Sequence, residues 1–178
     1  MFKKIIGIFL IIPFILICSC SKEIVQEELF SYYYDFQFYG FDTSECALKG
    51  STVSTLKDAI DNKKTTVFLI STPICLSCKT ITEIVNDIAL KHEITVYDID
   101  PNSSQYPVYS TDDFNVLLGI LKDIGINGEN EFSIPILLII NDGKIDAYFK
   151  DYEYNSESSY EQLYSSIDDI LSKSIIYK

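Results

Sequence analysis

Apolar and polar residues follow two rhythms along this chain, and the rhythm changes at each expected element boundary. Val53, Leu56 and Ile60 recur at helical spacing, with Thr52 or Ser54 as N-cap and Asn62-Lys63-Lys64 as the stop. Thr66 to Ile70 is apolar on both faces, as a central strand is. Ile81, Ile84, Val85 and Ile88 form one stripe of a helix over 79–90. Ile94 to Ile99 alternates with period two, which predicts a strand. Phe114, Leu117, Leu118, Leu121 and Ile124 predict a further amphipathic helix, capped by Thr111 or Asp112 and ended near Gly125. Pro135 to Ile140 reads as an apolar strand, Asn141-Asp142-Gly143 as a hairpin turn, and Ile145 to Phe149 as its antiparallel return. Tyr160, Leu163, Tyr164, Ile167, Ile170 and Leu171 make a last helical stripe. Residues 101–110 and 127–130 are polar connections.

Two segments compete for the first strand. Phe30, Tyr32, Tyr34, Phe36 and Phe38 alternate with Ser31, Tyr33, Asp35, Gln37 and Tyr39, and Cys46 to Lys49 is the rival. The predicted order is strand, helix, strand, helix, strand, helix, hairpin, helix. Alternating elements of this kind make an α/β domain, with helices on both faces of a mixed sheet.

Before this domain stands a segment of a different kind. Lys3-Lys4 is a basic start, and Ile5 to Ile17 is apolar but shorter than an ordinary membrane span of about 20 residues. It ends in Ile17-Cys18-Ser19-Cys20, which resembles the bacterial lipobox. That resemblance implies cleavage between Ser19 and Cys20 and a diacylglycerol on the Cys20 sulfur. An uncleaved anchor and a plain signal peptide are the alternatives, and each still exports the domain. The expected organisation is a leader over 1–19, a tether with an aromatic extension over 20–43, and one domain over 44–178. The formal charge of −12 repels phosphate backbones, so nucleic acid is not an expected partner.

Chemistry concentrates at Ser71-Thr72-Pro73-Ile74-Cys75-Leu76-Ser77-Cys78-Lys79. This run joins the central strand to the next helix. A helix N-terminus offers unpaired N–H groups and partial positive charge, which favour a thiolate. A second thiol one turn further on completes an arrangement for disulfide exchange. A structural disulfide and a metal site are the competing readings. Bridging so short a loop removes little unfolded-state entropy, so it stabilises little. A zinc ion would need two more ligands, and Cys46 and His92 are the remaining residues of the right type. No metal and no separate cofactor are expected. His92, at a helix end, is expected at the surface, and Cys46 in the core or as a free or intermolecular thiol.

The element order, with a Cys-x-x-Cys after the second strand, resembles the thioredoxin-like superfamily over about residues 47–172. A second motif strengthens the resemblance: Ser133-Ile134-Pro135-Ile136-Leu137-Leu138-Ile139-Ile140-Asn141-Asp142-Gly143-Lys144 is similar to the thioredoxin segment with a cis-proline, a strand and a tight turn. The resemblance implies that Cys75 is the exposed nucleophile and Cys78 the resolving thiol. It implies that Pro135 is cis and packs against the dithiol, and that Ile134 offers backbone groups to a substrate strand. Ile74 stands where thioredoxin has a Trp before its first cysteine, and Leu76-Ser77 where it has Gly-Pro. Leu69 occupies the place of the buried acid that assists the resolving cysteine, so that acid is missing unless another carboxylate reaches the site, with Asp98 on a neighbouring strand as a candidate. A narrower resemblance is to thioredoxin-like proteins exported as lipoproteins by low-GC bacteria, among them bacteriocin-transport accessory proteins.

The implied function is a membrane-tethered, extracytoplasmic thiol–disulfide oxidoreductase. Protein thiols or disulfides are its expected substrates, and a membrane electron donor or acceptor its redox partner. The alternative is a redox-inactive binding module that serves an exporter.

Overall fold

The computed structural model describes residues 46–101, 111–126, 133–149 and 160–173. The elements run β1 (Leu48–Gly50), α1 (Val53–Asp61), β2 (Thr66–Ile70), α2 (Leu76–Lys91), β3 (Val96–Ile99), α3 (Thr111–Asp123), β4 (Ile136–Asn141), β5 (Lys144–Phe149) and α4 (Tyr160–Leu171). The expected leader with Cys20, the aromatic run Phe30–Phe38, and residues 102–110 and 127–132 lie outside the described residues. The short segment after Cys46 does form a strand, β1.

The five strands are ordered β1-β3-β2-β4-β5. β3 runs parallel to both β1 and β2, whereas β4 is antiparallel to β2 and β5 to β4. β2 and β4 are central and apolar apart from their ends at Thr66 and Asn141, since both of their faces are covered. β5 is an edge strand with every second residue exposed. This is a thioredoxin-like α/β fold: a mixed five-stranded sheet with helices on both faces.

The sheet separates two cores. On one face Val67, Leu69, Leu137 and Ile139 pack with Ile81, Ile84, Val85 and Ile88 of α2 and with Leu163, Ile167 and Leu171 of α4. On the other, Phe68, Ile70, Leu138 and Ile140 pack with Val53, Leu56 and Ala59 of α1 and with Leu117 and Leu121 of α3. Successive strand residues thus serve opposite cores, as the pleat requires. In α1 the innermost third position is Ala59 rather than Ile60, which is only half-buried. Leu118 likewise stands at the edge of the α3 stripe.

Local signals place several ends. The Thr52 hydroxyl caps α1 by accepting from the Thr55 N–H at 3.2 Å. The β4–β5 turn puts Asp142 and Gly143 at φ 49° and 76°, the left-handed pair that a two-residue hairpin needs. Pro135 precedes β4 instead of opening it, which spares the ladder a missing donor. The Ile134–Pro135 peptide bond is cis.

Candidate active site

β2 ends at Ile70, and the chain crosses Ser71–Ile74 before α2 begins at Leu76. Cys75 is the N-cap of α2, with extended backbone (φ −95°, ψ 123°). Its sulfur does what a cap oxygen does elsewhere: it accepts from the Cys78 N–H at 3.3 Å. The Ser77 hydroxyl lies 3.1 Å from the same sulfur. Two turn bonds hold the junction, Cys75 N–H to Thr72 O at 3.2 Å and Lys79 N–H to Cys75 O at 3.2 Å.

The two thiols are free and inequivalent. Cys75 is half-buried, and Cys78 is wholly buried. Burial pushes the Cys75 thiol up, but hydrogen bonds from the Cys78 and Ser77 side chains and backbone outweigh it, so its pKa falls below the ordinary value. For Cys78 burial dominates and drives the pKa far up. The hydrogen bond with Cys75 adds to this, a backbone hydrogen bond from Thr72 opposes it, and the charges of Cys75 and Asp98 raise it further. The junction therefore holds a partly accessible thiol of lowered pKa next to a buried one that keeps its proton.

Around Cys75 the surface is apolar. Ile74 is 83% exposed and Leu76 73%, so the flanking side chains project into solvent on both sides of Cys75. The antiparallel register pairs Ile70 with Ile136. One residue beyond that pair, the same progression brings Pro135 beside Ser71. The Ile134–Pro135 segment thus reaches the sheet end from which Cys75 emerges. Pro135 is buried, and Ile134 is half-buried against the α1/α3 core.

Other residues singled out from the sequence separate into near and far. His92 caps the opposite end of α2, fourteen residues from Cys78. At a helix rise of 1.5 Å per residue that is about 20 Å, so His92 cannot join the dithiol around one metal ion. It is half-buried rather than fully exposed, because Asp168 of α4 holds its Nε2 at 2.7 Å. Cys46 is also half-buried, packs against the α2/α4 core, and points its thiol toward the Leu48 carbonyl at 3.7 Å. Burial pushes that thiol up. Asp98 is buried in β3, directly paired with Leu69 of β2. Ser71, Thr72 and Ser77 were not legible as site residues. A small polar residue following a strand or preceding a helix has many ordinary uses, and its partner here comes from another element or from the dithiol itself.

No protein-family model matches the chain, and no curated protein matches it. Among solved structures it is similar to thioredoxin O2 of Arabidopsis thaliana in the oxidised state, at 13% identity and a TM-score of 0.45 over 70% of this chain and 95% of that one. It is similar to the thioredoxin of Trypanosoma brucei brucei at 14% identity and a TM-score of 0.45, over 74% of this chain and 97% of that one. For thioredoxin NaTrxh of Nicotiana alata the figures are 14%, 0.43, 74% and 98%. The fold itself rests on the strand order, the dithiol at the start of α2, and the cis Ile134–Pro135 bond before β4.

Proposed function

We propose that this chain is a thiol–disulfide oxidoreductase acting on protein substrates from a lipid tether outside the cytoplasm. The observation that carries the reading is the inequality of the two thiols at the start of α2. Cys75 is accessible and favours the thiolate; Cys78 is buried and keeps its proton. A nucleophile and a resolving thiol need this division of labour.

In the reducing direction the Cys75 thiolate attacks one sulfur of a substrate disulfide. The substrate S–S bond breaks, its second sulfur leaves as a thiolate, and a Cys75–substrate mixed disulfide forms. Cys78, once deprotonated, attacks the Cys75 sulfur. The Cys75–Cys78 disulfide forms as the substrate departs with two electrons from the dithiol. Reversed, the same steps oxidise a substrate. The reduction potential decides the direction. A value near about −270 mV makes the protein a reductant, and one near about −120 mV an oxidant. Ile74, Ile134 and Pro135 would form the substrate platform, with backbone groups of Ile134 available to an extended chain.

The membrane tether and the exported location rest on Lys3-Lys4, the apolar run after them, and Cys20. Outside the cytoplasm a membrane electron donor or acceptor would have to recycle the dithiol. Insulin reduction by the full chain tests the enzyme reading: activity should disappear in Cys75→Ser. Equal rates for wild type and variant would overturn it.

A second reading is favoured by the exposure of Ile74 and Leu76: a redox-silent module that holds a polypeptide at the same apolar rim. A pull-down that survives replacement of both Cys75 and Cys78 by Ser, from a chain without reductase activity, would support it over the first.

A further inference from the structure

The Ser77 hydroxyl takes no part in the steps of disulfide exchange, yet it lies 3.1 Å from the Cys75 sulfur. The Cys78 N–H donates to the same sulfur at 3.3 Å. With Cys75 ionised, the hydroxyl is the donor, since a thiolate has no proton to offer. A thiol leaves a disulfide readily as its anion, because its pKa is about 8.5. Hydroxide and alkoxides are far poorer leaving groups, as the pKa of about 15.7 for bulk water implies. A hydroxyl beside the nucleophile therefore matters little to a departing sulfur and much to a departing oxygen. The O–O bond of a peroxide is short, so both oxygens of one seated on the Cys75 sulfur stay within reach of Ser77.

The rest of the junction fits the same chemistry. Cys75 is partly open to solvent, as attack on a small peroxide requires. The first turn of α2 holds no acidic residue, so no like charge there opposes the thiolate. Cys78 places a second thiol in that turn, and a sulfenic acid condenses with such a thiol to a disulfide. Ile74 and Leu76, on both sides of Cys75, are the most exposed large apolar side chains among the described residues. They offer contact to a hydrocarbon group and nothing to hydrogen peroxide.

We propose that the Cys75–Cys78 dithiol also reduces organic hydroperoxides that carry an apolar group, with Ser77 hydrogen-bonded to the departing oxygen. The proposal rests on the reading above of Cys75 as nucleophile and Cys78 as resolving thiol. The Cys75 thiolate attacks the terminal oxygen of the hydroperoxide. An S–O bond forms, the O–O bond breaks, and Cys75 becomes a sulfenic acid. The departing alkoxide, held by Ser77, takes a proton from water and leaves as the alcohol. The Cys78 sulfur then attacks the Cys75 sulfur. The S–O bond breaks, the Cys75–Cys78 bond forms, and hydroxide leaves with the Cys78 proton as water. The hydroperoxide gains two electrons and the dithiol loses two. The hydroperoxide is itself the oxidant, and a single turnover needs no other redox partner.

The test uses the reduced full chain with Cys18, Cys20 and Cys46 replaced by Ser, which leaves the dithiol as its only thiols. Cumene hydroperoxide is the apolar probe and hydrogen peroxide the polar one, each referred to its rate with N-acetylcysteine at the same pH. One equivalent of cumene hydroperoxide should remove both thiols, at least about a hundredfold faster than it oxidises N-acetylcysteine. On the same scale cumene hydroperoxide should be preferred over hydrogen peroxide at least about fivefold, and the preference should shrink when Ile74→Ser and Leu76→Ser are combined. Cys78→Ser should stop at the sulfenic acid, captured by dimedone on the Cys75 peptide. Ser77→Ala should lower the ratio of the hydroperoxide rate to the rate with an aryl disulfide at least about fivefold, and Ser77→Thr should restore part of it. Phosphatidylcholine hydroperoxide in vesicles, set beside cumene hydroperoxide, tells a bilayer source from a soluble one, and reduction of either supports the proposal. A chain no faster than N-acetylcysteine would overturn it, and so would an unchanged rate ratio in Ser77→Ala. Equal treatment of the two probes would overturn the apolar substrate class. Reaction with the aryl disulfide but not with hydroperoxide overturns this activity alone, whereas inertness toward both overturns the thiol–disulfide reading as well.

Discussion

Cys75 and Cys78 share a first helical turn and differ in almost everything that governs a thiol. The cap position gives Cys75 an N–H donor, a neighbouring hydroxyl and a partial view of solvent. One turn inward, Cys78 loses solvent entirely. Their reactivities should separate accordingly. Alkylation of the reduced chain by iodoacetamide should modify Cys75 first, with a pH midpoint below that of the same cysteine in the unfolded chain. Cys78 should resist modification until the protein unfolds, and Cys78→Ser should accumulate the mixed disulfide. Peptide mapping by mass spectrometry reads both results. Comparable labelling of the two cysteines at neutral pH would contradict the asymmetry. Of this pair, the spacing and the position before a helix were legible in the sequence, whereas their unequal exposure was expected only through the resemblance to thioredoxin.

At the level of elements, two junctions invite measurement. Gly143 has φ +76°, and a Cβ there would come 2.4 Å from the Ile60 carbonyl oxygen and 2.9 Å from the Lys63 Cα. The β4–β5 turn therefore packs onto the end of α1, where the Gly143 N–H also donates to Lys64 O at 3.1 Å. Gly143→Ala combines backbone strain with a clash against main chain, so it should cost about 2 kcal/mol or more in denaturant unfolding. A loss of under about 0.5 kcal/mol would mean that the turn is not pressed against α1. The second junction joins α2 to α4. Asp168 receives Lys91 Nζ at 2.8 Å and His92 Nε2 at 2.7 Å. The Lys91 hydrogen bond, foremost, holds the Asp168 carboxyl below its usual range, with His92 adding to it. A carboxyl depressed by folding stabilises above its unfolded pKa of about 3.9, and that contribution disappears as pH falls through the lower folded value. Asp168→Asn should thus lower stability by about 0.5–1 kcal/mol at neutral pH and by much less under strong acid. Equal losses at both pH values would assign the effect to packing.

For the whole molecule, the dithiol links stability to pH and redox state. Cys78 keeps its proton in the fold, whereas an unfolded thiol ionises above about pH 8.5. A group whose pKa is raised by folding stabilises below its unfolded pKa, and that contribution is lost as pH climbs above it. Cys75 acts in the opposite sense, since its folded value is depressed, but its shift is the smaller one. The reduced protein should therefore lose stability steadily above about pH 8.5. The disulfide form, in which neither thiol titrates, should lose markedly less over the same range. Urea midpoints of both forms between neutral and alkaline pH provide the check, and parallel curves would refute the buried, protonated state of Cys78.

Sequence alone determined the order of elements from α1 onward, because each element writes its own period: Val67–Ile70 apolar on both faces, Ile81-Ile84-Val85-Ile88 in a helical stripe, Asn141-Asp142-Gly143 at a turn. It also pointed to the candidate chemistry, since a dithiol at a strand-to-helix junction suits disulfide exchange. These are local properties, decided by neighbours along the chain. What only the tertiary structure decided is long-range. Leu69 and Asp98 are twenty-nine residues apart in sequence and become partners because β2 and β3 run parallel in one register. His92, expected at the surface, is half-buried and hydrogen-bonded to Asp168 of the distant α4. Cys75 and Cys78 acquired opposite proton affinities from burial against elements that the motif does not contain. Strand pairing and desolvation depend on which surfaces meet, and no window of neighbouring residues carries that information.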